Sequence, residues 1–209
     1  MARYTDAVCK KCRREGLKLF LKGTRCNTNK CAIDRRSFAP GQHGKSRTKL
    51  SEYGSQLRAK QRTKVYYRVS EKQFRKYYVE AFRRTGVTSD TLFEQLELRL
   101  DNVAYRIGVG MSRAQARQLV GYGMLQVNGK NVNIPSYILK IGDIVTIKEN
   151  KKENKAIKEV LESNKNKVIP SWIEFNKEKF EAKILRKPVR ADVDLEVAEN
   201  LIVELYSKN

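Results

Sequence analysis

Residues 96–130 read LELRLDNVAYRIGVGMSRAQARQLVGYGMLQVNGK and carry the pattern from which most of the architecture can be predicted. Apolar residues recur three and four positions apart from Phe93 to Ile107, which predicts one helix ended by the glycines after it. Ser112 begins a capping box with Gln115, in which the serine oxygen accepts a backbone N–H and the glutamine reaches back. A second helix is therefore predicted directly after the first.

These helices lead into a short, tightly turned β unit. Asn128-Gly129 favours a type I′ hairpin turn, and residues 144–147 predict a further strand. Arg113 and Arg117 lie four positions apart on the second predicted helix, and Lys130 follows the hairpin turn. Cations held on a rigid surface in this way suit the phosphate backbone of a nucleic acid.

Several segments of this region share their order of residues with a known domain. They are Arg99-Leu100-Asp101-Asn102-Val103, Ser112-Arg113-Ala114, Ala116-Arg117-Gln118-Leu119-Val120, Val127-Asn128-Gly129 and Ile134-Pro135-Ser136-Tyr137. In this order and spacing the region resembles the RNA-binding domain named after small-subunit ribosomal protein four, here called the S-four domain. The resemblance implies a small α+β domain that binds structured RNA.

The charge of the chain points the same way. Lys and Arg number 44 and Asp and Glu 23, a net charge of +21. The excess is uneven, because residues 1–50 hold fourteen basic and three acidic residues, whereas residues 159–209 hold nine and ten. A basic surface that served only solubility would not need its positive charge concentrated in one part of the chain. The front of the chain is therefore the expected footprint for a polyanion, which releases its counterions on binding.

The start of the chain and its apolar runs show what targeting or membrane insertion to expect. The first residues, Met1-Ala2-Arg3-Tyr4-Thr5-Asp6, lack the hydrophobic region of a signal peptide. No apolar run approaches the roughly 20 residues that a membrane span needs. We expect a cytoplasmic protein with no membrane contact.

All four cysteines lie in the first 31 residues, with the spacing C-x2-C-x13-C-x4-C: Cys9, Cys12, Cys26 and Cys31. In a reducing compartment this spacing predicts one structural zinc ion held by four thiolates. An iron–sulfur cluster is the weaker alternative, and two disulfides are disfavoured by the compartment. Such a closed site has no open position for catalysis, so the metal is expected to fold a segment that is poor in apolar residues.

The next segment extends the resemblance beyond one domain. Residues 40–44 read Pro-Gly-Gln-His-Gly, and residues 51–58 read Ser-Glu-Tyr-Gly-Ser-Gln-Leu-Arg. Both are similar to the sequence that follows the zinc module in the bacterial ribosomal protein four family, in its zinc-containing version. His43, the only histidine, has no acid, base or nucleophile nearby, so we expect it to contact RNA or to serve the loop structurally.

Helical spacing also predicts the flanking domain. Aromatic and apolar residues keep this spacing from Glu71 to Arg84 and are expected to form a core face. Residues 170–173, with the only tryptophan, and residues 201–208 match the family's end, and the neutral tail is expected to fold back on this helix. The predicted fold class is α+β: a mostly helical N-terminal and C-terminal domain with a zinc-bound arm, and an inserted S-four domain. The predicted ranges are 1–45 for the arm, 46–95 for the helical domain, 96–160 for the S-four domain and 165–209 for the closing segment.

An enzyme is disfavoured. S-four domains also occur fused to RNA-modifying enzymes such as pseudouridine synthases, but the segments on either side here are too small and too helical to be that catalytic domain. The sequence contains no phosphate-cradling glycine-rich loop, no nucleophile elbow and no plausible triad. A zinc deaminase needs a zinc ion with three protein ligands and one bound water, and a zinc ion held by four cysteines has no position left for that water.

The resemblance therefore implies a structural protein of the cytoplasmic small ribosomal subunit. Family members bind the five-prime domain of small-subunit ribosomal RNA, nucleate assembly of the subunit body and influence translational accuracy. They also contact ribosomal protein five and other small-subunit proteins, and some repress translation of their own messenger RNA. The alternative is a free-standing RNA chaperone or stress factor, which binds structured RNA without preferring one site. The residues expected to contact RNA are Arg35, Arg36, His43, Arg47, Lys49, Tyr53, Arg58, Arg62, Arg99, Arg106, Arg113, Arg117 and Lys130.

Overall fold

The structure, a computed structural model, describes residues 4–46, 49–152, 155–164, 167–176 and 179–208. The chain divides into two compact units. The first, here called the helical unit, consists of Met1–Leu92 and Leu195–Asn209, and the second, the sheet unit, consists of Phe93–Asp194. Because the chain leaves the helical unit and returns to it, the sheet unit is an insertion in its sequence.

The described residues form helices and short strands. The helices are α1 (Cys9–Glu15), α2 (Ala32–Arg35), α3 (Glu52–Tyr66), α4 (Glu71–Arg83), α5 (Thr88–Glu97), α6 (Leu100–Arg106), α7 (Arg113–Gly121), α8 (Glu149–Lys152), α9 (Lys155–Ser163) and α10 (Glu199–Ser207). The strands are β1 (Leu125–Val127), β2 (Lys130–Asn131), β3 (Ile144–Ile147), β4 (Ile173–Asn176) and β5 (Glu181–Ile184). Two 3-10 turns, Gly23–Asn27 and Arg190–Asp192, complete the set.

Aromatic packing holds the helical unit together. Helix α10 lies along α3, and its Tyr206 ring stacks on Tyr78 of α4 with centroids 4.6 Å apart. Phe74, which is fully buried, also stacks on the Tyr206 ring, with centroids 6.2 Å apart. The closing helix does fold back on the aromatic face of α4, and the large area that these rings remove from water stabilises the arrangement.

One carboxylate links three of these helices. Glu71 at the start of α4 accepts hydrogen bonds from Lys60 at 2.9 Å, Lys64 at 2.9 Å and the Tyr206 hydroxyl at 2.9 Å. Burial raises the pKa of Glu71, but the hydrogen bonds outweigh burial and lower that pKa to about 2. The carboxylate is therefore ionised at neutral pH and ties α3, α4 and α10 together.

The single helix predicted from Phe93 to Ile107 is two helices, and this prediction was wrong. The chain breaks between α5 and α6, where Leu139 donates its N–H to the Leu98 carbonyl at 2.9 Å and Leu100 donates to Tyr137 at 2.8 Å. Arg99 forms an antiparallel bridge with Ile138. The backbone groups that a continuous helix needs are used by a distant segment, which apolar spacing cannot reveal.

The sheet is antiparallel throughout, in the order β2-β1-β3-β5-β4. Its hairpin turns at Asn128 and Gly129, whose φ angles of 51° and 76° are both positive, as the predicted type I′ turn requires. Ile144 at the start of β3 donates its N–H to the Asn128 side chain at 2.9 Å. The asparagine thus fixes the turn and also the entry of the neighbouring strand.

The core of the sheet unit extends further along the chain than its sequence indicated. Trp172 is fully buried in it, and β4 and β5 extend the sheet beyond β3. Residues 173–184 therefore belong with the S-four region, and the predicted boundary at 165 is corrected to Asp194. The neutral charge of the tail gave no information about which core it packs on.

Buried ion pairs connect the helices of the sheet unit. Arg106 donates to both carboxylate oxygens of Glu97, at 2.9 and 3.1 Å, and Glu97 is fully buried. Asn102 donates to the same carboxylate at 2.7 Å and accepts a hydrogen bond from Arg113 at 2.9 Å. Asp194, the last residue of the unit, is a further partner of Arg106.

A second buried cluster lies on the same helices. Arg99 donates to the Asp101 carboxylate at 2.9 and 2.6 Å, and Arg117 of α7 donates to it at 3.0 Å. Arg99 is 1% exposed and Asp101 is 4% exposed. Arg99 and Asp101 therefore each have an opposite charge in hydrogen-bonding contact.

Arg106→Ala is expected to destabilise the protein by about 3–5 kcal/mol, because it removes the cation that neutralises the buried Glu97 carboxylate. Arg84→Ala is the matched control: it breaks an exposed pair with Glu80 and is expected to change the free energy of unfolding by less than about 0.5 kcal/mol. Urea unfolding of both variants measures the difference, and equal values would contradict the assigned role.

Gly110→Ala tests the close approach of α7 to the preceding loop. A Cβ at this position would lie 2.6 Å from the backbone nitrogen of Ala116, so the backbone must shift. We expect a loss of about 1–3 kcal/mol in thermal unfolding. Gly121→Ala, where a Cβ meets nothing within 4 Å, is expected to leave stability unchanged or to raise it.

Candidate RNA interface

Exposed cations cover the first forty residues of the helical unit. Their carboxylate counterparts are few: Asp34 pairs with Lys18 at 2.7 Å, and the Glu15 side chain is only 4% exposed. The exposed basic side chains are Lys10, Arg14, Lys18, Lys22, Arg25, Lys30, Arg35 and Arg36. A surface with so little opposing charge attracts a polyanion.

Four cysteines lie inside this basic segment. Cys12, Cys26 and Cys31 are each 8% exposed, Cys9 is partly exposed, and all four are free thiols. The Lys22 N–H donates to the Cys26 sulfur at 3.4 Å. Burial raises the pKa of the Cys12 thiol, and the other three cysteines raise it further, against a lowering hydrogen bond from the Leu19 backbone.

The four thiols are not arranged around a common metal position in this structure. Among the described residues, no group of three or more His, Cys, Asp or Glu side chains is arranged to hold a metal ion. The zinc ion expected from the cysteine spacing therefore stays a prediction, as does the weaker alternative of an iron–sulfur cluster.

The Pro-Gly-Gln-His-Gly loop lies against the same segment. Arg13 donates its Nε–H to the Phe38 carbonyl at 3.0 Å and places its guanidinium 5.2 Å from the Phe38 ring centroid. Lys45 approaches that ring at the same distance. His43 is exposed at the tip, where it can contact RNA, so that expectation stays a prediction.

The expected contacts on α3 and just before it are of two kinds, exposed side chains and side chains held in ion pairs. Lys49 and Tyr53 are exposed, Tyr53 by 61%, and are available to a ligand. Arg58 instead pairs with Glu15 at 3.0 Å, and Arg62 lies 3.9 Å from the same carboxylate and donates to the Glu196 carbonyl. Burial raises the Glu15 pKa, and the two arginines oppose it. These arginines primarily tie α1 to α3.

Four arginines that we expected on the RNA-binding surface are instead largely buried in the structure. Arg99, Arg106 and Arg113 are at most 7% exposed, and the Arg117 side chain is 17% exposed. All four are held by the buried partners described above, so they organise helices instead of presenting cations to solvent. Helical spacing showed that Arg113 and Arg117 share a face, but it could not show that this face is covered. The nearby acidic residues Glu97 and Asp101 were the only feature of the sequence that could have indicated that these arginines are used in ion pairs.

Of the two remaining residues expected to contact RNA, one is exposed and the other is not described by the structure. Lys130 is exposed beside the hairpin turn, where it can reach a phosphate. Arg47 lies outside the described residues. Helix α4 presents a further basic surface that we did not include among the expected RNA contacts. Its exposed residues are Lys72, Arg75, Lys76 and Arg83. Their helical spacing in the sequence could have predicted this surface.

No helix in the part of the chain that the structure describes is long and apolar enough to cross a bilayer.

Comparison with known proteins finds two family matches along the chain. Residues 3–97 match the family described as ribosomal protein S4/S9 N-terminal domain, and residues 98–145 match the S4 domain. The fold is thus mixed helix and sheet with an S4 RNA-binding domain.

Named relatives cover the full chain. Small ribosomal subunit protein uS4 of Ruminiclostridium cellulolyticum is 54% identical over 208 residues, spanning 100% of both chains. Protein uS4A of Alkaliphilus oremlandii is 56% identical and uS4 of Pelotomaculum thermopropionicum 53%, with the same coverage. The chain therefore belongs to the bacterial uS4 family of small ribosomal subunit proteins.

Proposed function

We propose that this chain is a structural component of the small ribosomal subunit that binds the five-prime domain of its RNA and nucleates assembly of the subunit body. Members of the uS4 family are structural ribosomal proteins and not enzymes. The observation that carries the RNA site in this chain is the exposed cationic surface of residues 10–36. Its role in translational accuracy, within the cytoplasmic ribosome, is proposed from the same family membership.

The contacts are assigned by exposure. Arg35, Arg36, Lys49 and Lys130 are exposed and are proposed to contact phosphates, and His43 and Tyr53 to contact bases or riboses. RNA of complex shape is recognised through its backbone, unpaired bases and 2′-hydroxyls, so cations must be fixed in space rather than merely numerous.

Protein partners are proposed on family grounds. Contact with ribosomal protein five and other small-subunit proteins belongs to this assignment, as does repression of its own messenger RNA. The exposed basic face of α4 adds a surface that is open to RNA or to an acidic partner.

A structural zinc ion is proposed for the arm. Four thiols within 31 residues form a donor set that Zn²⁺ prefers, three are buried, and a backbone N–H already points at the Cys26 sulfur. When bound, the ion supplies cross-links that the small apolar content of the segment cannot replace. Cys9, Cys12, Cys26 and Cys31 would hold it.

The ribosomal assignment predicts selective binding. The protein is titrated with the five-prime domain of small-subunit ribosomal RNA and with an unrelated folded RNA of equal length, across a salt series. With ~6 or more phosphate contacts both affinities fall steeply as salt rises, but the ratio of the affinities is expected to stay large. A ratio near one would instead indicate a general RNA chaperone.

The double variant Arg35→Ala, Arg36→Ala sharpens this measurement. Loss of two phosphate contacts is expected to reduce the salt slope by about 2. Lys151→Ala, Lys158→Ala removes the same charge from exposed positions in α8 and α9 and is the matched control. Equal effects of the two double variants would mean that net charge, and not this surface, sets the affinity.

Metal removal tests the zinc proposal. The purified chain is expected to contain one zinc ion, and a chelator is expected to remove hydrogen-exchange protection from residues 4–46 while the sheet unit keeps its protection. The reason is that the sheet unit has its own buried core. A chain that binds no zinc, or one whose sheet unit also loses protection, would contradict the proposal.

A further inference from the structure

The helical unit contains a cavity of about 310 Å³ that the assignments above do not use. Its apolar lining comes from α3, the segment that follows this helix and the first turns of the chain: Val8, Leu21, Val65 and Val69. The volume lies at the lower end of the ~300–1,000 Å³ typical of small-molecule sites. Such a cavity is large enough for a single planar group and little more.

Cations and one amide line the same cavity. Lys11, Lys64 and Arg68 contribute charge, and Gln61 contributes both a donor and an acceptor. Lys64 is paired with Glu71 at 2.9 Å, and Glu71 also binds Lys60. These groups leave a net positive rim beside an apolar floor.

An aromatic ring completes the rim. Tyr4 lines the cavity, and the Lys11 ammonium lies 4.9 Å from its ring centroid. Arg68 donates to the Tyr4 carbonyl at 3.1 Å, which holds the start of the described chain against α3. The aromatic ring and the cations are thus fixed relative to one another.

Arg68 occupies a backbone position where glycine is usual. Helix α3 ends in a Schellman motif, in which Val69 donates its N–H to the Lys64 carbonyl at 3.0 Å and Arg68 donates to Val65 at 3.2 Å. The motif places Arg68 at a φ of 53°, in the left-handed region that most side chains avoid. The side chain of Arg68 lines the cavity, so a strained backbone position and the cavity lining coincide at this residue.

We propose that this cavity binds one unpaired nucleotide of the RNA. The base lies on the apolar floor, with Gln61 at its hydrogen-bonding edge, and the phosphate lies between Lys11 and Arg68. This inference rests on the proposed function and names a contact within it. Apolar and aromatic surface beside cations is the combination by which proteins bind single-stranded nucleotides, because every base has an apolar face and every nucleotide carries a phosphate.

Two variants separate binding from folding. Arg68→Gly removes the guanidinium and relieves the strained backbone, so the helical unit is expected to stay folded, while affinity for the five-prime domain falls about tenfold. Val65→Phe fills the cavity without changing charge and is expected to cause a similar loss. Arg84→Ala, which removes an exposed arginine from the same unit, is the control for charge alone and is expected to have a much smaller effect.

The source of the nucleotide is tested with three probes. Methyl NMR signals of Val8, Leu21 and Val65 are followed on addition of adenosine monophosphate, a single-stranded RNA hexamer and an RNA duplex. The hexamer is expected to shift these signals at lower concentration than the mononucleotide, and the duplex is expected to leave them unmoved. Tighter binding of the free mononucleotide, or shifts with the duplex, would overturn the assignment to an unpaired RNA nucleotide.

Failure of this inference differs from failure of the proposed function. If the wild-type chain selects the five-prime domain but both variants bind it equally well, the cavity is not a nucleotide site and the ribosomal assignment stands. If the wild-type chain shows no selectivity, the ribosomal assignment fails. In that case the methyl signals still decide whether the cavity binds an unpaired nucleotide.

Discussion

The buried pair of Glu97 and Arg106 is the interaction on which the sheet unit depends. It joins the end of α5 to α6, and through Asn102 it reaches Arg113 at the start of α7. Two charges removed from water this completely are stable together and costly apart. The pair therefore specifies one arrangement of the three helices, on which the hairpin and the sheet are positioned.

Because of this arrangement, not all of the net charge of +21 is available to bind RNA. Three of the arginines that the sequence assigned to RNA, Arg99, Arg106 and Arg117, pair with carboxylates inside the sheet unit. A fourth, Arg113, is buried and donates to the Asn102 amide oxygen. The cations with little opposing charge lie in residues 10–36 and along the outer face of α4. Net charge governs long-range attraction to RNA, whereas the exposed subset determines where RNA is held.

The helical unit uses the same two means, paired charge and aromatic packing. Arg58 and Arg62 meet Glu15, which ties the basic arm to α3, and Tyr206 stacks on α4 while its hydroxyl binds Glu71. Arg68 departs from local preference at a position where glycine would be less strained. The same residue lines the cavity of the helical unit, which makes it the position where local preference and the proposed nucleotide contact meet.

The sequence by itself determined the family, the α+β class, the α4 helix, the cap at Ser112 and the Asn128-Gly129 turn, because each depends on residues close together in the chain. It also gave the RNA-binding character, which follows from charge. Only the tertiary structure decided that α5 and α6 are separate, that β4 and β5 complete the sheet, and that Arg99, Arg106 and Arg113 point inward. Those outcomes depend on partners far away in sequence: Tyr137 and Leu139 take the backbone hydrogen bonds of the α5–α6 break, and β3 pairs with β5. Local spacing contains no information about which distant groups will cover a face.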